Sequence, residues 1–293
     1  MARNTKAPEY QDAHWNPPRY EEIESQRPAQ VSAPNPDTAA TGLSKFDTIF
    51  IIDDSTSMAG NRWRELEKAI SAIAPLCTEG DEDGIEIYFL NHKKVYGNVK
   101  DTKEVKRIFS EVYPYGWTPV GEKLRNILEP YLARVQNMQR YRQSHWQTTE
   151  IPASVNVKPL NIIVITDGEF SDGHVAHSTI FQTASALDKC DPPARSDQLG
   201  IQFFQIGNDR GAKEFLQNLD NNLGKMCGRE NVRDIVDTVV WKKKRLAFWR
   251  SKEQRTLNSE WLLKVVLGGV NKMYDEKEEK WYHLFGFGRS SVV

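Results

Sequence analysis

The chain has 293 residues, 39% hydrophobic and 27% charged, with a formal net charge of −1. That length suits one large α/β domain with additions and is short for two full domains. The near-neutral balance supplies no global attraction to nucleic acid or an anionic membrane, and three widely spaced cysteines, Cys77, Cys190 and Cys227, argue against a disulfide framework and for a reducing compartment.

Residues 1–43 are polar and proline-rich, with few aliphatics and no period, so a disordered tail is expected there. The opening MARNTKAPEYQDAHW carries no apolar segment of the secretory kind. No run reaches the roughly 18 apolar residues of a membrane span. Together these imply a soluble, intracellular and specifically cytoplasmic protein.

From residue 44 to residue 240 apolar runs alternate with amphipathic stretches. Phe46–Met58 reads FDTIFIIDDSTSM: its first half, Asp47–Asp53, suits a strand buried on both faces of a parallel sheet. Asn61–Leu76 places Trp63, Leu66, Ile70, Ile73 and Ala74 at helical spacing. Gly84–Leu90 is a second strand, and Lys94–Tyr96 a short hairpin partner at the sheet edge. Asp101–Tyr113 reads as a helix, as does Pro119 to about Val135, with Pro130 expected to bend it or cut it short. Residues 136–158 are polar and basic and are taken as an inserted loop. Leu160–Thr166, Gly200–Ile206 and Ile235–Val240 complete the strands, with helices through Ile180–Leu187 and Lys213–Leu223. This order predicts an α/β, doubly wound, mostly parallel six-stranded sheet with helices on both faces.

The last segment, 241–293, opens on the basic-aromatic WKKKRLAFWR (241–250) and continues with a helical stripe from Leu257 to Met273. A helical extension that packs on the domain is expected. One such cluster in a neutral protein is a weak signal for phosphate or membrane headgroups.

Chemistry concentrates where the first strand ends. Asp53-x-Ser55-x-Ser57 is followed, much later, by Thr118 in GWTPVG and Asp167 in NIIVITDGEFSD. Each has an ordinary role available alone. Ser55 or Ser57 could cap a helix, Thr118 could do the same before Pro119, and Asp167-Gly168 is a common strand-exit turn. Together, in this order and on these elements, they resemble the metal-ion-dependent adhesion site of von Willebrand factor A-type domains, in a stand-alone intracellular form. The resemblance covers about residues 44–240.

It implies a metal site built from Asp53, Ser55, Ser57, Thr118 and Asp167. Ser55 and Ser57 would bind directly, Thr118 directly when a partner is engaged, and Asp53 and Asp167 largely through water. The remaining position would accept a Glu or Asp carboxylate from a partner protein. The residues themselves make the same case from chemistry. In a doubly wound sheet the strands ending in Asp53 and Asp167 are neighbours at the topological switch point. Two carboxylates meeting there repel unless a cation intervenes, and an all-oxygen donor set suits Mg²⁺ or Mn²⁺. Asp54 and Glu169 are candidates to support the cation from behind these ligands.

The expected function is therefore divalent-metal-dependent protein binding rather than catalysis. A Mg²⁺-dependent phosphoryl-transfer enzyme is the first rival, weakened because Ser55 occupies the position where a DxDxT phosphatase needs its second acid. The chain also lacks a GxxxxGK[ST] loop. A scaffold that keeps this fold without metal-dependent binding is the second. A nucleic-acid partner is disfavoured, since no helical-repeat ring accompanies the domain.

Overall fold

The run Ile49-Phe50-Ile51-Ile52 has no polar position because neither of its faces meets water. Phe50 and Ile52 pack into a core on one side of a sheet, and Ile49 and Ile51 into a second core on the other. A computed structural model describes residues 45–77, 84–148, 150–168, 170–206, 209–226 and 232–240. The readings made for the tail 1–43, for the extension 241–293 and for Glu169 lie outside these residues. Among the described residues, no helix is long and apolar enough to cross a membrane.

Six strands form the sheet: β1 Asp47–Ile52, β2 Ile85–Phe89, β3 Tyr96–Val99, β4 Leu160–Thr166, β5 Leu199–Gln205 and β6 Val236–Val240. Their order is β3-β2-β1-β4-β5-β6. Every neighbouring pair is parallel except β2 and β3, which form an antiparallel edge. Five helices follow the strands: α1 Asn61–Cys77, α2 Thr102–Glu111, α3 Val120–Ser144, α4 Gly173–Asp188 and α5 Arg210–Met226. This is the mixed, mostly parallel doubly wound arrangement that the alternation of elements predicts.

The two faces are covered by different helices. Trp63, Leu66 and Ile70 of α1 join Val105, Ile108 and Phe109 of α2 in the core beneath Phe50 and Phe89. There the Trp63 ring lies 4.8 Å from that of Phe109 and 5.9 Å from that of Phe89. On the opposite face α3, α4 and α5 contribute Leu124, Leu128, Ile180, Leu216 and Leu219 against Ile51, Val164 and Phe203. Each such large apolar side chain, fully buried, contributes roughly 1.5–3 kcal/mol of transfer free energy.

Two local expectations change. Helix α3 does not stop near Val135 but continues to Ser144, well into the stretch taken as a loop. Val135, Met138 and Gln139 keep its buried stripe going, although the surrounding residues are polar. Pro130 lies inside the helix without ending it. The edge strand falls at Tyr96–Val99 rather than 94–96, since Tyr96 and Val99 are its buried positions and pair with Ile87 and Ile85.

Helices α3 and α4 approach most closely at Gly121. A Cβ there would press on the Ala176 amide nitrogen and stand 2.8 Å from the Val175 carbonyl carbon. Helix propensity alone would favour alanine by about 0.5–1 kcal/mol. The collision is with backbone, which cannot swing away, and overpacking of this kind costs about 1–3 kcal/mol. Gly121→Ala is therefore expected to lower the melting temperature in a thermal denaturation experiment. A more stable variant would show that the two helices are not held this close.

Candidate functional site

Parallel pairing of β1 with β4, in register from Asp47↔Leu160 to Ile52↔Ile165, carries Asp53 and Asp167 out of the same sheet edge side by side. Asp53 is fully buried. Its amide donates to the Ile165 carbonyl at 2.9 Å. Its Oδ1 accepts the Ser55 amide at 2.8 Å and its Oδ2 the Thr166 hydroxyl at 2.7 Å. Across the crevice, the Ser57 hydroxyl donates to Asp167 Oδ1 at 2.7 Å and lies 3.0 Å from the Ser55 Oγ. Burial pushes the Asp53 carboxyl above its ordinary value, hydrogen bonds from Ser55 and Thr166 oppose the shift, and the nearby Asp167 charge adds to it.

Thr118 reaches this edge on the loop between α2 and α3. The Gly116 carbonyl accepts both the amide and the hydroxyl of Thr56 at 3.4 Å, tying the loop to the Asp53 turn. The Thr118 carbonyl accepts the Ser171 amide at 3.0 Å, tying it to the segment after Asp167. All five predicted residues thus lie on three interlocked loops, and all except the exposed Ser57 are buried.

The hydroxyls are not used as helix caps. The turn Thr56–Met58 receives no side-chain cap from Ser55, and α3 receives none from its capping residue Pro119. The first amides of α3 are instead satisfied by Asp172, whose Oδ1 accepts from Gly121 at 3.0 Å and whose Oδ2 accepts from Glu122 at 2.7 Å. That carboxylate also suits the positive end of the helix dipole. Asp172 spares Thr118 the role that its position before Pro119 suggested.

Asp54, expected to support the cation from behind, points elsewhere. Its Oδ1 accepts the Asn91 amide at 2.7 Å and Asn91 Nδ2 at 3.1 Å, and its Oδ2 accepts the His92 amide at 2.9 Å. It fastens the loop after β2, its carboxylate bonded to residues 91 and 92 rather than to the five acids and alcohols at the edge. Arg62 is the residue that sequence reasoning missed. Its guanidinium pairs with Asp167 Oδ2 and donates to the Ser57 carbonyl at 3.0 Å. A search for acids and alcohols passes over an arginine. Its place one turn beyond Ser57, at the start of α1, was the available signal.

The donors gathered here are two carboxylates and three alcohols. Among the described residues, no three His, Cys, Asp or Glu side chains come together as a possible metal site. The chemistry of the set is thus hard oxygen with few charges, compatible with Mg²⁺ or Mn²⁺ and poorly suited to zinc or copper.

No family model and no curated protein matches this chain. Among solved structures, manganese-loaded TRAP protein of Plasmodium vivax is similar at 15% identity and a TM-score of 0.33, over 68% of this chain and 70% of that one.

The neighbouring acids Asp53 and Asp54 should respond oppositely to neutralisation. The folded protein holds the Asp53 proton more tightly than the unfolded chain, whose ordinary value is 3.8. Ionising Asp53 therefore costs stability as pH rises above that value, and the cost is absent below it. In chelator at neutral pH, Asp53→Asn is expected to melt at a higher temperature than the parent, with the gain fading as pH falls toward 4. Asp54→Ala strands three donors and should cost about 1–3 kcal/mol. Melting curves across pH read both, and a destabilised Asp53→Asn would contradict the burial argument.

Proposed function

We propose that the edge formed by Asp53, Ser55, Ser57, Thr118 and Asp167 is a von Willebrand A-type adhesion site that binds a divalent cation and, through it, an acidic side chain of a partner protein. The observation that carries this reading is the continuous contact from Ser55 to Ser57 to Asp167, set beside the buried Asp53 carboxylate on one sheet edge. Three sequence-distant segments, around residues 53–57, 118 and 167, meet there without a shared structural purpose that would require it. Capping, the ordinary role for such alcohols, falls to Asp172 in the case of α3.

Ser55, Ser57 and Thr118 would offer their hydroxyl oxygens to Mg²⁺ or Mn²⁺. Asp53 and Asp167 would supply charge from behind, largely through water. Bound this way, the cation keeps enough positive character to take a Glu or Asp carboxylate as its last ligand. The hydrogen bonds to Asp53 and Asp167 come from the Ser55 amide, the Ser57 and Thr166 hydroxyls and the Arg62 guanidinium, none of them a histidine or lysine placed to move protons. That arrangement favours recognition over phosphoryl transfer.

Isothermal titration of the whole chain tests this directly. Mn²⁺ and Mg²⁺ are expected to bind at one site, with binding abolished in Asp53→Ala and in Ser55→Ala. No heat of binding in the parent would leave a scaffold without metal-dependent recognition. Hydrolysis of a generic phosphate ester, lost in Asp53→Ala, would favour the enzyme instead. Arg62 shares Asp167 with the incoming ion, so Arg62→Gln should tighten Mn²⁺ binding several-fold. Weaker binding would mean that the arginine orients the carboxylate rather than competing for it.

A further inference from the structure

Immediately before Thr118 the chain reads Tyr113-Pro114-Tyr115-Gly116-Trp117, and its three aromatic rings stand in solvent: Tyr113 is 75% exposed, Tyr115 50% and Trp117 79%. Among the described residues five large hydrophobics are exposed, and the other two, Val95 and Trp146, lie well apart in sequence. Most other described aromatic rings are buried or packed into the two cores, as with Trp63, Phe89, Phe170 and Phe203, Trp146 being an exception. Three open rings in five residues are thus a local departure from how this chain treats aromatic side chains. Such patches mark interaction surfaces.

The backbone beneath the rings is tightly held. The Tyr115 amide donates to the Asp54 carbonyl at 2.6 Å. The Tyr115 hydroxyl donates to the Asn91 carbonyl at 2.9 Å, and Asn91 Nδ2 donates to the Trp117 carbonyl at 2.8 Å. Gly116 takes a φ of +80°, and a Cβ there would stand 2.6 Å from Asn91 Oδ1, so no other residue fits. A loop this constrained has little freedom to fold its rings inward. It presents them, and a partner binding to them loses little loop entropy.

We propose that Tyr113, Tyr115 and Trp117 form the apolar half of the recognition surface whose polar half is the cation site. The occupant is then an extended protein segment carrying an acidic side chain with an apolar residue beside it. This rests on the adhesion-site reading above and adds the composition of the partner. Three features argue for that one occupant. Trp117 adjoins Thr118 in the chain, and the Gly116 carbonyl accepts from Thr56 of the Asp53 turn at 3.4 Å, so the rings stand on the loop that adjoins the cation position. The rim presents uncharged side chains, and Arg62, with 42% of its side chain exposed, adds positive charge at the cation site. A carboxylate is therefore drawn to one end and an apolar group to the other. An extended segment advances about 3.3 Å per residue, so an apolar residue within about three positions of the acid is the pattern to look for.

The test is selection of random linear peptides by the whole chain in Mg²⁺, with elution by chelator, alongside Mn²⁺ titration of the same protein. Enriched peptides are expected to share an Asp or Glu with an aliphatic, aromatic or proline residue within three positions. Tyr113→Ala and Trp117→Ala are each expected to weaken those peptides about tenfold or more, with the melting temperature and the Mn²⁺ titration unchanged. Peptides that carry the acid but no apolar neighbour would overturn the inference, as would peptides indifferent to both variants while Mn²⁺ still binds. A chain that binds no Mn²⁺ overturns the site reading and this inference with it.

Discussion

Two carboxylates held side by side away from water are the constraint on which this architecture turns. Asp53 and Asp167 arrive at one edge because β1 and β4 are parallel neighbours where the strand order reverses, and both are almost wholly buried. Nothing about sheet formation requires acids there. An apolar or amide residue at either position would be cheaper, since each buried charge must be compensated by donors that the fold has to place. The chain supplies them as four donors: the Ser55 amide, the Ser57 hydroxyl, the Thr166 hydroxyl and the Arg62 guanidinium. That expense makes sense where the charges themselves are used.

Around this pair the fold spends other acids differently. Asp54, next to Asp53 in sequence and equally buried, is entirely occupied by the backbone and side chain of residues 91 and 92. Asp172 terminates α3 from a distance. One adjacent pair of acids therefore divides into a structural clasp and a group held ready for chemistry. The division is made by direction: successive residues leaving a strand point to opposite sides, one toward the loop after β2 and one toward β4. The clasp fixes the loop bearing Asn91, which in turn bonds the Trp117 carbonyl. Positioning of the Thr118 loop thus begins from the same dipeptide that provides the central carboxylate.

This explains which features could be read from the sequence. Strand positions followed from apolar runs such as Ile162–Ile165, because burial on two faces favours apolar residues at successive positions. The convergence of Ser55, Ser57 and Asp167 was legible because strand order alone brings their loops together. What escaped was decided by individual side chains in three dimensions. The pairing of Arg62 with Asp167 spans 105 positions and the capping of Gly121 by Asp172 spans 51, with no periodic signal in either. The length of α3 escaped for a related reason. Beyond Val135 its buried stripe is carried by Met138 and by Gln139, a polar residue that hydropathy cannot mark as internal.

Arg62 also bears on how a cation could be accepted at all. With Ser57 and Arg62 on its two oxygens, Asp167 already has a donor on each oxygen and a counter-charge beside it. An ion entering beside Asp167 exchanges one counter-charge for another instead of relieving bare repulsion. The guanidinium, 42% exposed, can turn into solvent as the ion takes its place, although Asp167 itself is buried. Metal binding would then be reversible under modest changes of concentration, and the energy for tight partner recognition has to come from contacts beyond the ion. The aromatic rim at residues 113–117, on the loop that carries Thr118, is a surface with apolar area to contribute.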